Sequence, residues 1–167
     1  NVLIFRSCND SIFEKIMQAL YSLVSKRAIT TVLQQNYNRE YLAGCINLCF
    51  PSDKFNYDVF HKNKVIPGEF YQTIIIPTNG LELMTYLPIF KIVSCLKYQN
   101  IYLISPRGNL KAVDDISSVI SEIEHYQKIK DEAHLLIQKY LLITYYVPLP
   151  TKLKKLYRTR CCSICAA

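Results

Sequence analysis

The sequence is predicted to fold as α/β, an open three-layer sheet, mostly parallel, with a long C-terminal helix. Two observations carry this prediction. Short apolar, β-leaning runs (VLIF at 2–5, AITTVL at 28–33, YQTIIIP at 71–77 and IYLIS at 101–105) alternate with stretches whose apolar residues recur at three-and-four spacing. The first run, residues 2–5, is also apolar throughout rather than alternating, as a strand is when helices cover both faces of a parallel sheet. Strand–helix–strand units of this kind make right-handed parallel crossovers and place helices on both sides of one sheet.

Each element has its own reason. After the first strand, Asp10 or Ser11 is placed to cap a helix over 11–25, whose inner face reads Ile12, Phe13, Ile16, Met17, Leu20 and then Leu23 or Val24. The second strand is followed by NREYLAG at 38–44, read as a short helix ending near Gly44. Residues 45–70 mix apolar pairs with turn residues and are read as short strands and loop. The three isoleucines Ile74 to Ile76 make the strongest strand, stopped by Pro77 and turned by Thr78-Asn79-Gly80. A helix over 81–97 follows, in which Pro88 marks either a kink or a late start. The fourth strand ends in the turn Pro106 to Asn109. Asp114 and Asp115 then precede a long helical pattern through Ile116, Val119, Ile120, Ile123, Tyr126 and Ile129, which runs on until Val147-Pro148-Leu149-Pro150 stops it.

With 167 residues, half of them apolar, the chain can bury a real core, and it has neither a repeat nor a flexible linker. Residues 1–150 are read as a single Rossmann-like domain and 151–167 as a basic, cysteine-rich tail. The formal net charge is +7, and KLKKLYRTR at 152–160 holds five positive charges and no negative one. Such a block is a solvated tail or a contact for an anionic membrane surface. The basic residues are not interleaved with aromatics as base-stacking platforms require, so nucleic acid is disfavoured as a partner. Residues 132–146 are interrupted by Gln138 and Lys139 and contain no run of apolar residues long enough to span a bilayer. With no secretory signal pattern, the chain is read as cytoplasmic and reduced, with peripheral membrane contact through its C-terminal end as an option.

Open parallel sheets bind ligands beyond the carboxyl ends of their strands. That edge should collect Arg6, Ser7, Asn9 and Asp10 after the first strand, Thr78 and Asn79 after the third, and Arg107 after the fourth. Asp10 is a candidate general base, a role compatible with capping the helix. Arg6 and Arg107 are candidate anion contacts, because guanidinium groups bind phosphate or carboxylate bidentately. Cys8, beside a helix start, is either a nucleophile or a small buried residue. No glycine-rich dinucleotide or P-loop motif is present. Cys45 and Cys49, the cluster Cys161-Cys162-Ser163-Ile164-Cys165 and the three histidines do not make a ligand set for zinc, so no metal is expected.

The opening stretch NVLIFRSCNDSIFEKI and the later GEFYQTIIIPTNGLELMTYLPIFKIV resemble the N-terminal, acceptor-side half of GT-B glycosyltransferases of the heptosyltransferase type. That family opens with an apolar strand ending in a basic residue, then a small-residue turn whose Gly-Asp starts the first helix. A tyrosine-led strand, a turn with glycine and a helix come later. Asp10 falls on the family's catalytic aspartate, and Tyr71 to Ile76 with Gly80 fit the later strand and turn. Asn9 stands where the family has glycine, and the turn before Asp10 is shorter.

The resemblance implies a half-domain for sugar transfer in cell-envelope or surface-polysaccharide synthesis, with inversion at the sugar carbon. It binds no cofactor of its own, since the nucleotide-sugar donor sits on a second, donor-binding domain or partner. The reading of a different class is a non-catalytic α/β module that docks to a protein partner or a membrane surface.

Overall fold

A computed structural model describes residues 1–146 apart from 36, 38, 81 and 82, with side chains as far as residue 139. The element order is β1 (Val2–Phe5), α1 (Asp10–Leu23), β2 (Ile29–Gln34), β3 (Ile46–Phe50), α2 (Tyr57–Asn63), β4 (Phe70–Pro77), α3 (Leu87–Ser94), β5 (Lys97–Ile104), β6 (Leu110–Ala112) and α4 (Ile116–Tyr146). The six strands form one sheet in the order β3-β2-β1-β4-β5-β6. All neighbours are parallel except β5 and β6, which pair antiparallel. This is the Rossmann-like, doubly wound α/β arrangement, in which strand order reverses between β1 and β4.

The period of two along each strand builds the two cores. Leu3, Phe5, Ile74 and Ile76 point to one face, where they pack with Phe60 of α2, Ile89, Phe90, Ile92 and Val93 of α3, and Ile116 and Ile123 of α4. Val2, Ile4 and Ile75 point to the other face, where Phe13 and Met17 of α1 cover them together with Ile29, Leu33 and Ile104. Sheet and helices on both sides give the three layers. Residues 2–5 are all buried, which explains an apolar run without alternation: neither face of β1 meets water.

Several boundaries differ from the sequence reading for identifiable reasons. Pro88 sits in the first positions of α3, where its missing N–H costs nothing, so the helix starts late and only a 3-10 turn, Leu83–Tyr86, precedes it. At the far end Lys97 already belongs to β5, paired with Phe70. The short helix expected over 38–44 is a single 3-10 turn, Glu40–Leu42. Residues 45–70 hold an edge strand, β3, and a two-turn helix, α2, started by the Asn56 side chain, which accepts from the backbone of Asp58 and Val59. The turn after β5 leads back into antiparallel β6, with Gly108 at φ +81° carrying the left-handed bend. Asp115 opens α4 by accepting from Ser117 N–H at 2.9 Å.

The chain divides into two compact units, Asn1–Glu124 and His125–Ala167. The first holds the whole sheet and ends one residue after Ile123, the last of the described α4 side chains that is buried. In the second, every side chain from Lys128 to Lys139 is exposed. Among the described residues no helix is long and apolar enough to cross a membrane. The tail at 151–167, with its basic block and cysteines, lies outside the described residues.

Phe13 is fully buried and is one of two α1 side chains that close the second core. Phe13→Ala should lower stability by about 3–5 kcal/mol. Equilibrium urea unfolding checks this, with Ile129→Ala, at an exposed position, as a control that leaves the midpoint nearly unchanged.

Candidate functional site

Because β1, β2 and β4 run parallel, their carboxyl ends share one edge, and the polar residues after them meet there. The chain leaves β1 at Phe5, and Arg6 N–H still bonds the Val32 carbonyl at 2.9 Å, so the start of the site is anchored to the sheet. Asn9, not Asp10 or Ser11, is the N-cap of α1, and its carbonyl accepts from Ile12 and Phe13. Its φ of −61° is accessible to any residue, so the absence of glycine at this position causes no strain. Asp10 is the first helical residue, where the positive end of the helix dipole favours a carboxylate.

The Asp10 carboxylate is turned to the side and held by two guanidinium groups. Arg6 Nη2 donates to Oδ1 in a short contact, and Arg39 Nη2 donates to Oδ2 at 3.0 Å. Arg6 is itself fixed from three directions. Its Nη1 donates to Gln34 Oε1 at 2.8 Å, Gln34 Nε2 returns a bond to the Arg6 carbonyl at 2.7 Å, and the guanidinium lies 3.9 Å from the centre of the Tyr37 ring. Arg39 lies 5.1 Å from the same ring, and the Tyr37 and Tyr41 hydroxyls share a 2.6 Å bond. One tyrosine thus carries both cations, and the cations carry one carboxylate.

The electrostatic result is an acid held in its ionised form. The Arg6 hydrogen bond keeps the Asp10 carboxyl below its usual range, outweighing the upward push of partial burial, and Arg39 adds to the lowering. For Arg6, burial alone would lower the pKa, but its bonds to Asp10 and Tyr37 and their charges hold it above its ordinary value. A carboxylate that accepts from two guanidinium groups is a weak base as it stands. The trio thus gathers two guanidinium groups around one carboxylate at this edge.

The ends of β1 and β4 are tied together where strand order reverses. Ser7 Oγ donates to the Pro77 carbonyl at 2.5 Å, and Asn9 N–H donates to Asn79 Oδ1 at 3.0 Å. Asn79 N–H in turn donates to the buried Tyr86 hydroxyl at 2.6 Å. Thr78 is buried, and both its N–H and its hydroxyl bond the Ile104 carbonyl. Of the residues expected at this edge, Arg6, Ser7, Asn9, Asp10, Thr78 and Asn79 are all brought there, and each is hydrogen-bonded to another part of the protein.

Arg107 is placed differently. It is exposed in the turn between β5 and β6, and no described contact joins it to the Asp10 cluster. The second guanidinium comes instead from Arg39, in the segment after β2. The edge rule applied to β2, as it was to the other strands, would have singled out Gln34, Tyr37 and Arg39. Cys8 is buried against the second core, and burial pushes its thiol up to about 12, which leaves it a neutral packing residue rather than a nucleophile. Among the described residues no group of three or more His, Cys, Asp or Glu side chains could hold a metal ion.

Asp10→Asn should cost about 1 kcal/mol at neutral pH, the scale of a solvent-reached ion pair with charge-assisted bonds. Folding lowers the Asp10 pKa, so this contribution is complete above the unfolded-state value of about 3.9 and is lost as pH falls through the lower folded-state value. Urea unfolding of both proteins across pH reads it as a stability gap that is constant from neutral pH to about 5 and closes below about 4.

No protein family, no curated protein and no solved structure matches the chain.

Proposed function

We propose that the chain is the acceptor-side half of a sugar-transfer enzyme of the GT-B type, working with a donor-binding domain or partner in cell-envelope or surface-polysaccharide synthesis. The observation that supports this reading is the clamp on Asp10: a carboxylate at the carboxyl edge of the sheet, held between two guanidinium groups. Such a cluster suits an acceptor that carries a phosphate or carboxylate next to its nucleophilic hydroxyl.

The chemistry follows from competition for the same N–H groups. An acceptor anion draws Arg6 and Arg39 donors away from Asp10, whose pKa then rises toward that of an ordinary carboxylate. Asp10 thereby gains basicity only when an acceptor is present, and at that moment it stands beside the hydroxyl to be deprotonated. The hydroxyl oxygen attacks the sugar carbon of a nucleotide-sugar held by the partner. A new C–O bond forms, the bond to the departing phosphate oxygen breaks, the proton rests on Asp10, and the sugar carbon inverts. Arg6 and Arg39 bind and orient, while Ser7, Asn9, Thr78 and Asn79 keep the edge in register.

One observation favours the other reading, a non-catalytic α/β module. Both carboxylate oxygens of Asp10 are engaged, and the β1 and β4 ends are closed by their own hydrogen bonds. Sugar transfer with a reconstituted donor-binding partner, nucleotide-diphosphate sugars and phosphorylated sugar acceptors separates the two. Asp10→Asn should lower the rate by about 10²–10⁴-fold, the usual contribution of a positioned general base. Transfer that is unchanged in the variant removes Asp10 from the chemistry and leaves the module.

The basic stretch at 152–160 supports peripheral contact with an anionic leaflet. Co-sedimentation with anionic vesicles should weaken steadily as salt is raised, and should be absent with neutral vesicles.

A further inference from the structure

We infer that α4 pairs antiparallel with α4 of a second copy of this chain, through a patch made of Glu132, Leu135, Leu136 and Lys139. These four residues lie together on the surface of α4. Their spacing of i, i+3, i+4 and i+7 puts them on one face of the helix. Leu135 is 66% exposed and Leu136 55%, so two adjacent leucines stand in solvent at the centre of the patch. Isolated exposed leucines are ordinary, whereas two adjacent ones with a charge at each end form a small patch that a partner of matching charge order can cover.

The order of charges along the patch identifies that partner. An acid lies at its N-terminal end and a base at its C-terminal end, two turns apart and so beyond the reach of an i, i+4 pair within the helix. A two-fold axis between Leu135 and Leu136 brings a second α4 across the first. Each Leu135 then meets Leu136 of the second copy, and each Glu132 meets Lys139 of the second copy. Both ion pairs form at once from one self-complementary surface, as isologous contacts require. A parallel, in-register pairing would instead set Glu132 against Glu132 and Lys139 against Lys139, which like-charge repulsion disfavours.

Four leucines and two ion pairs make a small interface, so the dimer is weak and depends on concentration. It is independent of the sugar-transfer reading, because none of its residues belongs to the Asp10 cluster.

Sedimentation equilibrium of the full chain over a wide concentration range is the test. Wild type should move reversibly from monomer to dimer. Glu132→Lys and Lys139→Glu should each weaken association by at least about tenfold, since each replaces two attractions by two repulsions. The double variant Glu132→Lys/Lys139→Glu should recover association to within about threefold of wild type, because reversing both charges restores the pairs. All four positions are exposed, so these variants keep the fold, and far-UV circular dichroism verifies it. A wild-type chain that stays monomeric throughout overturns the inference. So do single variants that associate as wild type does, or a double variant that remains as weak as the singles.

Discussion

Strand β1 has no wet side. Val2 and Ile4 face the core under α1, Leu3 and Phe5 face the core under α2, α3 and α4, and the strand is hydrogen-bonded to β2 on one flank and β4 on the other. Both its edges and both its faces are taken, so it cannot slip by one residue without exchanging the contents of two cores. Everything that follows β1 inherits that rigidity. Arg6 leaves the sheet still bonded to Val32, and α1 starts four residues later with its inner face pressed onto the strand it has just left. The edge at which strand order reverses is therefore built on a strand packed on both faces and paired on both edges.

The Asp10 clamp uses that rigidity. Its three charged members come from three places: Arg6 at the end of β1, Asp10 at the start of α1 and Arg39 in the segment after β2. Tyr37 and Gln34 hold the arginines so that their donors already point at the carboxylate, which reduces the entropy lost in forming the pair. The same arrangement has an electrostatic consequence. A carboxylate so well supplied with donors is stabilised as an ion and is correspondingly poor at taking a proton. Under the proposed function this is the resting state, and the acceptor's own anion is what unlocks it. The clamp then serves structure without ligand and chemistry with it, and the two uses compete for one set of N–H groups.

The β1–β4 junction shows how much of this edge is occupied internally. In doubly wound sheets the gap between the two strands at the reversal point is the usual ligand crevice. Here Ser7 and Asn79 span it, and buried Thr78 and Tyr86 back it from below. Arg6 and Arg39 stand on the β2 side, which places the charge of the cluster beside the junction rather than in it.

By itself, the sequence determined the strands, the alternation with helices and hence the layered parallel sheet, because a continuous apolar run bounded by turns reports burial on both faces directly. It also determined the edge residues Arg6 to Asp10 and Thr78 to Asn79, since these directly follow strands that could be read. Edge strand β3 and short β6 were less legible because burial shapes an edge strand's sequence less, and the same was true of α2, too short to show a period. Which residue pairs with Asp10 was a tertiary matter. Arg107 and Arg39 are equally basic and both follow strands, and only the strand order put β2 beside β1 and sent the segment after β5 back into a hairpin. Strand order is set by which faces the helices cover, a property of packing between distant segments that no local stretch of chain carries.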